Sequence, residues 1–284
     1  MKKIYRLFNQ IKHYEWGCAR FIPEFLGIKN KKKLPFAEMW MGTHKSAPSK
    51  VIKNFKKINL AEINGELPFL FKLLAAGKPL SLQVHPNKEQ AAEGFEREER
   101  TGLSLDDPKR NYKDKNSKNE IICALTPFTL TAGSNEITLQ PLEALFIPCG
   151  TAHSYKRGFG IELMNNSDNV IRGGLTNKHI DMEEFSRITN KEPFLPQIIT
   201  PDDKQSVFNY RIPANDFSLT LIRGKGEKIT VSINTPAICI VTEGRIKIDG
   251  SHFKKGESFF IPKKINNLIL EGEFVLFAAS GANV

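Results

Sequence analysis

Short apolar or alternating segments recur along the whole chain, at 80–85, 120–125, 128–132, 144–148, 160–164, 218–223, 237–242, 245–249, 258–262, 268–270 and 274–277. Most hold four to eight residues, are rich in Ile, Phe, Leu and Thr, and end at Gly, Pro or Asn. That spacing is the pattern of an all-β sandwich or barrel, because a strand that buries one or both faces needs only a short run between turn residues. Helical character is confined to 88–100, where Glu, Ala, Gln, Lys and Arg follow a Pro-Asn start, and to weaker candidates at 181–188 and 70–76. The first of these interrupts the β pattern and reads as a helical insertion near 86–118.

A self-comparison adds an internal echo. The string EALFIP at 143–148 returns as ESFFIP at 257–262, as expected if two similar β-barrels follow one another. A histidine, His153, follows the proline of the first copy by five residues, whereas Asn267 stands there in the second. Only the first copy carries a candidate metal ligand. With 284 residues the chain has room for one large domain or two ordinary ones. The division expected is a catalytic unit over 1–200 and a metal-free unit over 201–284.

Several function classes are disfavoured. The start, Met1-Lys2-Lys3, is followed by Arg6, Asn9, Gln10 and Lys12, which break the apolar stretch an export signal requires. No run of 18 apolar residues suggests a membrane span. Cys18, Cys123, Cys149 and Cys239 lie far apart with no paired spacing, which suits a reducing, cytoplasmic compartment better than a disulfide framework. The net charge of +10 invites a nucleic-acid reading. Its lysines are spread out, however, with only 29–33 as a cluster and no nucleic-acid-binding motif beside them. An anionic small molecule suits such a surface equally.

The chemistry concentrates at four residues. Gln83 and His85 are two apart at the end of an apolar strand and therefore share a face, and Pro86 stops the ladder at the sheet rim. Glu120 opens the run Ile121-Ile122-Cys123, and His153 follows the Pro148-Cys149-Gly150 turn. Two imidazoles, a carboxylate and an amide oxygen form a mixed set compatible with zinc. Each alone is ordinarily a satisfied polar residue, and spacing does not join Gln83, Glu120 and His153.

Several motifs in order do join them. IKHYEWG at 11–17, PFAEMWMGTH at 35–44, KPLSLQVHPNK at 78–88, NYKDKNSKNE at 111–120, IPCGTAHSY at 147–155 and ELMNNSDNVIRGGLT at 162–176 resemble the motifs of type I phosphomannose isomerase, a cupin-superfamily enzyme, over nearly the whole length. The resemblance implies a mainly β fold of two cupin-type (jelly-roll) barrels and one zinc per chain held by Gln83, His85, Glu120 and His153. It implies catalytic roles for Arg172, Glu162, Asp168 and Lys118, and substrate contacts from Ser81, Lys72 and Tyr155. The implied reaction interconverts mannose 6-phosphate and fructose 6-phosphate, with a sugar phosphate as the partner and neither nucleic acid nor membrane.

Two departures stand out. Only 33 residues separate Glu120 from His153, so a helical domain that many members carry there is missing. Ser117 also stands where a histidine often precedes Lys118. Two rivals remain at this level: a sugar-binding cupin that has lost turnover, separated by an isomerase assay, and an iron-dependent cupin dioxygenase, for which richer histidine ligation is expected.

Overall fold

In the computed structural model, which describes residues 4–262 and 265–281, the chain is mainly β, organised as a sheet of eleven strands, a sheet of seven and a separate two-stranded hairpin. The larger sheet runs in the order Ile198–Ile199, Ala144–Ile147, Glu120–Ala124, His153–Asn165, Phe69–Ala76, Glu38–Met41 and Gln10–Lys12. Leu82–Val84, Phe128–Ala132, Asn135–Leu139 and Ile171–Gly174 join it off this path. The seven-stranded sheet is built mainly on the antiparallel strands Phe217–Ile233, Ala237–Ile248 and Ile265–Gly281. Both sheets stay open at their edges, so the expectation of two closed barrels is met only in its coarser part, a mainly β chain with two sheets.

Burial explains why the pattern was legible as β. Along Ala237–Ile248, Ile238 and Ile240 enter the core shared by the two sheets, while Ala237, Cys239 and Val241 face a second core inside the smaller sheet. A strand buried on both faces has no polar alternation and reads as one apolar run. The same fact produces the one misassigned element. The 70–76 segment, a helix candidate by its Leu and Ala content, is the strand Phe69–Ala76, buried at all eight positions. Phe69, Phe71, Leu73 and Ala75 pack into the shared core and Leu74 and Ala76 into another. Tertiary burial on two faces overrides helix propensity here.

The helix Lys88–Arg100 forms where expected, begun by Asn87, whose side chain accepts from the Gln90 N–H while the Gln90 side chain accepts in return from the Asn87 N–H. Gly94 in its middle lets the Tyr112 ring lie directly on the helix, since a Cβ there would meet that ring at 2.4 Å. The other expected helix spans Met182–Ile188 with Asp181 as its cap. Glu184 ties the two together by accepting from Arg97 and Arg187, both at 2.7 Å, and from the Tyr112 hydroxyl. This helical pair packs against Val84 and Ile171 and so braces two strands that border the site. Among the described residues, no helix is long and apolar enough to cross a membrane.

Candidate metal centre and active site

Strand pairing brings the distant residues together. Gln83 lies opposite His153 on one side and Arg172 on the other. Glu120 lies opposite Met164, and Glu162 opposite Lys72. Gly150, at φ 80, makes the left-handed turn that returns the chain toward His153, and its N–H donates to the His85 carbonyl at 2.8 Å.

The two imidazoles are fixed in the same tautomer. His85 Nδ1 lies 2.8 Å from the Asn169 carbonyl and His153 Nδ1 2.9 Å from the Thr151 carbonyl. A carbonyl only accepts, so each Nδ1 carries the proton and each Nε2 presents a lone pair. Both lone pairs point at one carboxylate: His85 Nε2 is 3.1 Å from Glu120 Oε1, and His153 Nε2 is 3.3 Å from Oε2. Burial, and then the nearby Lys118 ammonium, push His85 down to about 3, so it is neutral near pH 7. Burial alone would raise Glu120, but Lys118 and His85 outweigh it and hold this carboxyl well below its ordinary range. Two imidazole nitrogens and a carboxylate thus converge on one point, a donor set suited to a metal cation. His85, Glu120 and His153 offer ligand atoms within 4.8 Å of one another, all buried. Lys118 Nζ sits at the edge of this cluster, 3.1 Å from His85 Nε2 and 3.0 Å from Glu120 Oε1. Tyr155 completes it by donating to Glu120 Oε2 at 3.0 Å. Gln83 reaches the same point, its amide nitrogen 3.3 Å from His153 Nε2 and its oxygen accepting from Ser81. Rotation of the amide turns that oxygen inward. The donor set fits a divalent metal with mixed N/O ligation.

Beside the cluster opens a cavity of about 430 Å³ lined by Ser81, Gln83, Lys72, Lys118, Glu120, Glu162, Asp168 and Arg172, among others. A larger cleft of about 760 Å³, edged by Asn87, Asn116, Asn119 and Asn166, holds none of the predicted site residues, so size does not locate the chemistry. In the smaller cavity Lys72 is clamped between carboxylates, 2.7 Å from Glu162 and 3.4 Å from Glu38. Burial would lower the Lys72 ammonium, but those two anions hold it above its usual value. Burial raises Glu162 despite Lys72. Arg172 is different: burial alone depresses it, and no side-chain hydrogen bond or ion pair engages its guanidinium among the described residues. Lys178 stands near it, 5.4 Å from the Tyr14 ring centroid, and its ammonium is lowered by burial and by Arg172, against the pull of Glu38. Arg172 and Lys178 thus place two cations on the wall of this cavity.

Sequence reasoning passed over Glu38 and His44, although both lie in the quoted 35–44 motif, and over Lys178, two residues beyond the last motif. Glu38 was hidden because its partner Lys72 is 34 residues away, and only strand pairing joins them. Asn169 was missed as well. Its carbonyl fixes His85 and its buried side chain bonds the backbone at Lys113, Asp114 and Asn116.

The chain resembles known proteins over nearly its whole length. The profile described as phosphomannose isomerase type I, catalytic domain, matches residues 4–136. Mannose-6-phosphate isomerase of Escherichia coli K12 is 29% identical over 378 aligned positions, covering 94% of this chain and 97% of that protein. The Salmonella typhimurium LT2 protein of the same name is 29% identical over 90% of this chain and 94% of its own. Among solved structures, the Salmonella typhimurium enzyme bound to fructose 6-phosphate and zinc superposes with a TM-score of 0.89 at 27% identity, covering 99% of this chain and all of that one. A glutamate-to-alanine mutant of phosphomannose isomerase from the same organism gives a TM-score of 0.91 at 26% identity, with the same coverage. The motifs, the profile over 4–136, relatives aligned along nearly the whole chain and the superposed structures agree, and the chain is similar to phosphomannose isomerases of type I.

Proposed function

We propose that this chain is a zinc-dependent aldose-ketose isomerase that interconverts mannose 6-phosphate and fructose 6-phosphate. The observation that carries the reading is the meeting of two imidazole lone pairs on the buried Glu120 carboxylate at 3.1 and 3.3 Å, beside a cavity that offers an unpaired arginine. His85, Glu120, His153 and Gln83 would hold zinc, which supplies Lewis-acid polarisation of the sugar oxygens. Zinc- and substrate-bound structures among the relatives support this. We read the two open sheets as two cupin-type, jelly-roll units, catalytic over 1–200 and metal-free over 201–284. Four free cysteines suit a cytoplasmic setting.

The chain's own residues divide the work as follows. Arg172 stabilises negative charge that develops on the sugar oxygens as the enediol forms, because a fixed cation in a partly dry pocket need not reorganise. With Lys178 it also offers the anion-binding end of the cavity, while Lys72, already clamped by Glu38 and Glu162, orients those carboxylates. Tyr155 holds Glu120 in place. The test is a coupled assay for fructose 6-phosphate formation on purified protein before and after chelation. Activity lost on chelation and restored by zinc supports the proposal, while chelation-resistant turnover or none at all sinks it.

A further inference from the structure

We infer that the hairpin 50–59 is a docking tip for an anionic lipid surface, with the Phe55 ring entering the headgroup layer while Lys50, Lys53 and Lys56 meet the headgroup charges. This goes beyond the isomerase reading and does not depend on it, and it adds a partner that the sequence motifs do not imply.

The hairpin is a rigid finger with a bare end. Lys50–Lys53 and Lys56–Asn59 form a two-stranded sheet of their own, paired from Lys50 with Asn59 to Lys53 with Lys56. Its base is anchored. Val51 is fully buried in the core shared by the two large sheets, Ile58 packs beside it, and Phe8 and Lys50 exchange backbone hydrogen bonds of 2.9 Å. At the other end Phe55 is 103% exposed and Ile52, on the preceding strand, 51%. The phenyl ring therefore stands clear of the rest of the chain.

Two features of this end cost stability, and no contact among the described residues offsets them. Asn54 at φ 49 and Phe55 at φ 63 make a two-residue turn that is left-handed at both positions, where Asn-Gly is the favoured pair. Asparagine suits the first position, but an aromatic side chain at the second is strained. Lys53 directly faces Lys56 across the strands, and like charges so placed repel. No Asp or Glu stands between 50 and 59. Glu62, the nearest acidic residue in sequence, is turned to the base, where it accepts from the Asn59 N–H. Lys57 lies 4.4 Å from the centroid of the Phe8 ring, whereas Lys50, Lys53 and Lys56 make no side-chain hydrogen bond or ion pair among the described residues. Glycine at 55 and an acid at 53 or 56 would relieve both costs, so the fold does not account for the residues present.

The chemistry of the tip selects its occupant. Protein interfaces enrich arginine and deplete lysine, and this hairpin has four lysines and no arginine. A single-stranded nucleic acid asks for a series of stacking aromatics along a groove, not one ring on a projection. A convex apolar tip needs a medium that closes around it rather than a matching pocket. A bilayer interface does so: lysine stems follow the ring inward while their ammoniums stay at the phosphates, and each is drawn by a negative leaflet. The net charge of +10 adds a general attraction. Among the described residues no helix is long and apolar enough to cross a membrane, and a headgroup contact needs none.

The test is sedimentation of the full chain with vesicles of phosphatidylcholine alone and of phosphatidylcholine mixed with phosphatidylserine. The chain should bind the mixed vesicles only, and rising salt should release it. Phe55→Gly should weaken binding by about tenfold, the lower end of what burying a phenyl ring gives, with a melting temperature no lower than the wild type's, because the turn strain is relieved. Lys53→Ala/Lys56→Ala should weaken it by about 30-fold, since each cation beside an anionic leaflet counts for about fivefold. Phe55→Trp should keep binding, and its added emission over the wild type should shift to the blue on the mixed vesicles. No binding to the mixed vesicles, unchanged binding in Phe55→Gly and in the lysine pair, or an unshifted Phe55→Trp would each overturn the inference. Binding to an RNA oligonucleotide that depends on these residues, without binding to vesicles, would overturn it in favour of a nucleic-acid partner.

Discussion

The two copies of the echoed hexapeptide place the same local structure in opposite surroundings. Ala144–Ile147 and Ser258–Ile261 are both four-residue strands following a turn, the first added antiparallel to Glu120–Ala124 and the second to Ala237–Ile248. Beyond the first, the chain turns at Gly150 and delivers His153 to Glu120 and His85. Beyond the second it enters Ile265–Gly281, whose Leu268, Leu270, Phe274 and Leu276 fill an apolar core. The larger sheet buries Glu38, Lys72, His85, Lys118, Glu120, His153 and Glu162 within it or beside it, whereas the polar groups buried among the described residues of 205–281 are Thr242 and Ser258. Burying charge is expensive unless each charge is paired. One strand pattern therefore supports either a charged site or an oily core, and the sheet carrying the site gives up stability which the other sheet does not.

The comparison breaks most visibly at the metal cluster. His85→Ala or His153→Ala should reduce bound zinc from about one per chain to near zero and abolish turnover, since structural loss of one of so few ligands is not compensated. Elemental analysis of the purified variants checks this, and full zinc occupancy in either would remove that residue from the ligand set.

Arg172→Ala comes next. Zinc content and melting temperature should hold while kcat falls on the order of a hundredfold or more, the effect of removing a preorganised charge from the transition state. A rise in KM with kcat unchanged would instead restrict Arg172 to phosphate binding.

Lys72→Met sharpens the stability side. It leaves Glu38 and Glu162 buried without their shared cation, and breaking such a pair costs about 3–5 kcal/mol. Chemical denaturation should show that loss, and a change below about 1 kcal/mol would mean that the two carboxyls neutralise or hydrate at little cost.

The pH dependence belongs to the same half of the molecule. His85 takes up a proton in the unfolded chain near the ordinary imidazole value of about 6.5 but is held down to about 3 in the fold. The unfolded state therefore binds more protons across that window, so stability is full above it and falls as pH drops through it. The melting temperature of the metal-free chain should decline between pH 7 and pH 5, and His85→Gln should flatten the decline. An unchanged slope in that variant would locate the titration elsewhere.

The smallest effect is expected in the other sheet. Lys228 and Glu271 approach to 3.6 Å, but the lysine side chain is 71% exposed. Lys228→Ala should shift stability by no more than about 0.5 kcal/mol.

What the sequence disclosed follows the same division. Phe128–Ala132 and the helix Lys88–Arg100 lie where periodicity and capping place them. Longer strands were legible only in pieces. The 237–242 and 245–249 runs are parts of the strand Ala237–Ile248, whose register shifts beside Gly244, at φ 69. The 160–164 run is the end of His153–Asn165, past an irregularity between Tyr155 and Arg157. Glycine and polar residues at such irregularities look like turns in sequence, because only the partner strand shows that pairing continues. The short N-terminal strands Tyr5–Arg6 and Gln10–Lys12 gave no signal of their own. At the site, the residue types were visible and one local pair, Gln83 with His85, followed from the period of two. The tautomer-setting carbonyls of Asn169 and Thr151 and the anions around Lys72 were not, since backbone groups carry no sequence label and register pairs residues far apart.

The most direct test of the central claim is anomalous scattering at the zinc edge from crystals of the zinc-loaded chain. The account predicts one strong peak within bonding distance, about 2.0–2.2 Å, of His85 Nε2, His153 Nε2 and a Glu120 oxygen, and none in 205–281. A protein that binds zinc elsewhere, or crystals with no peak between those three side chains, would contradict it.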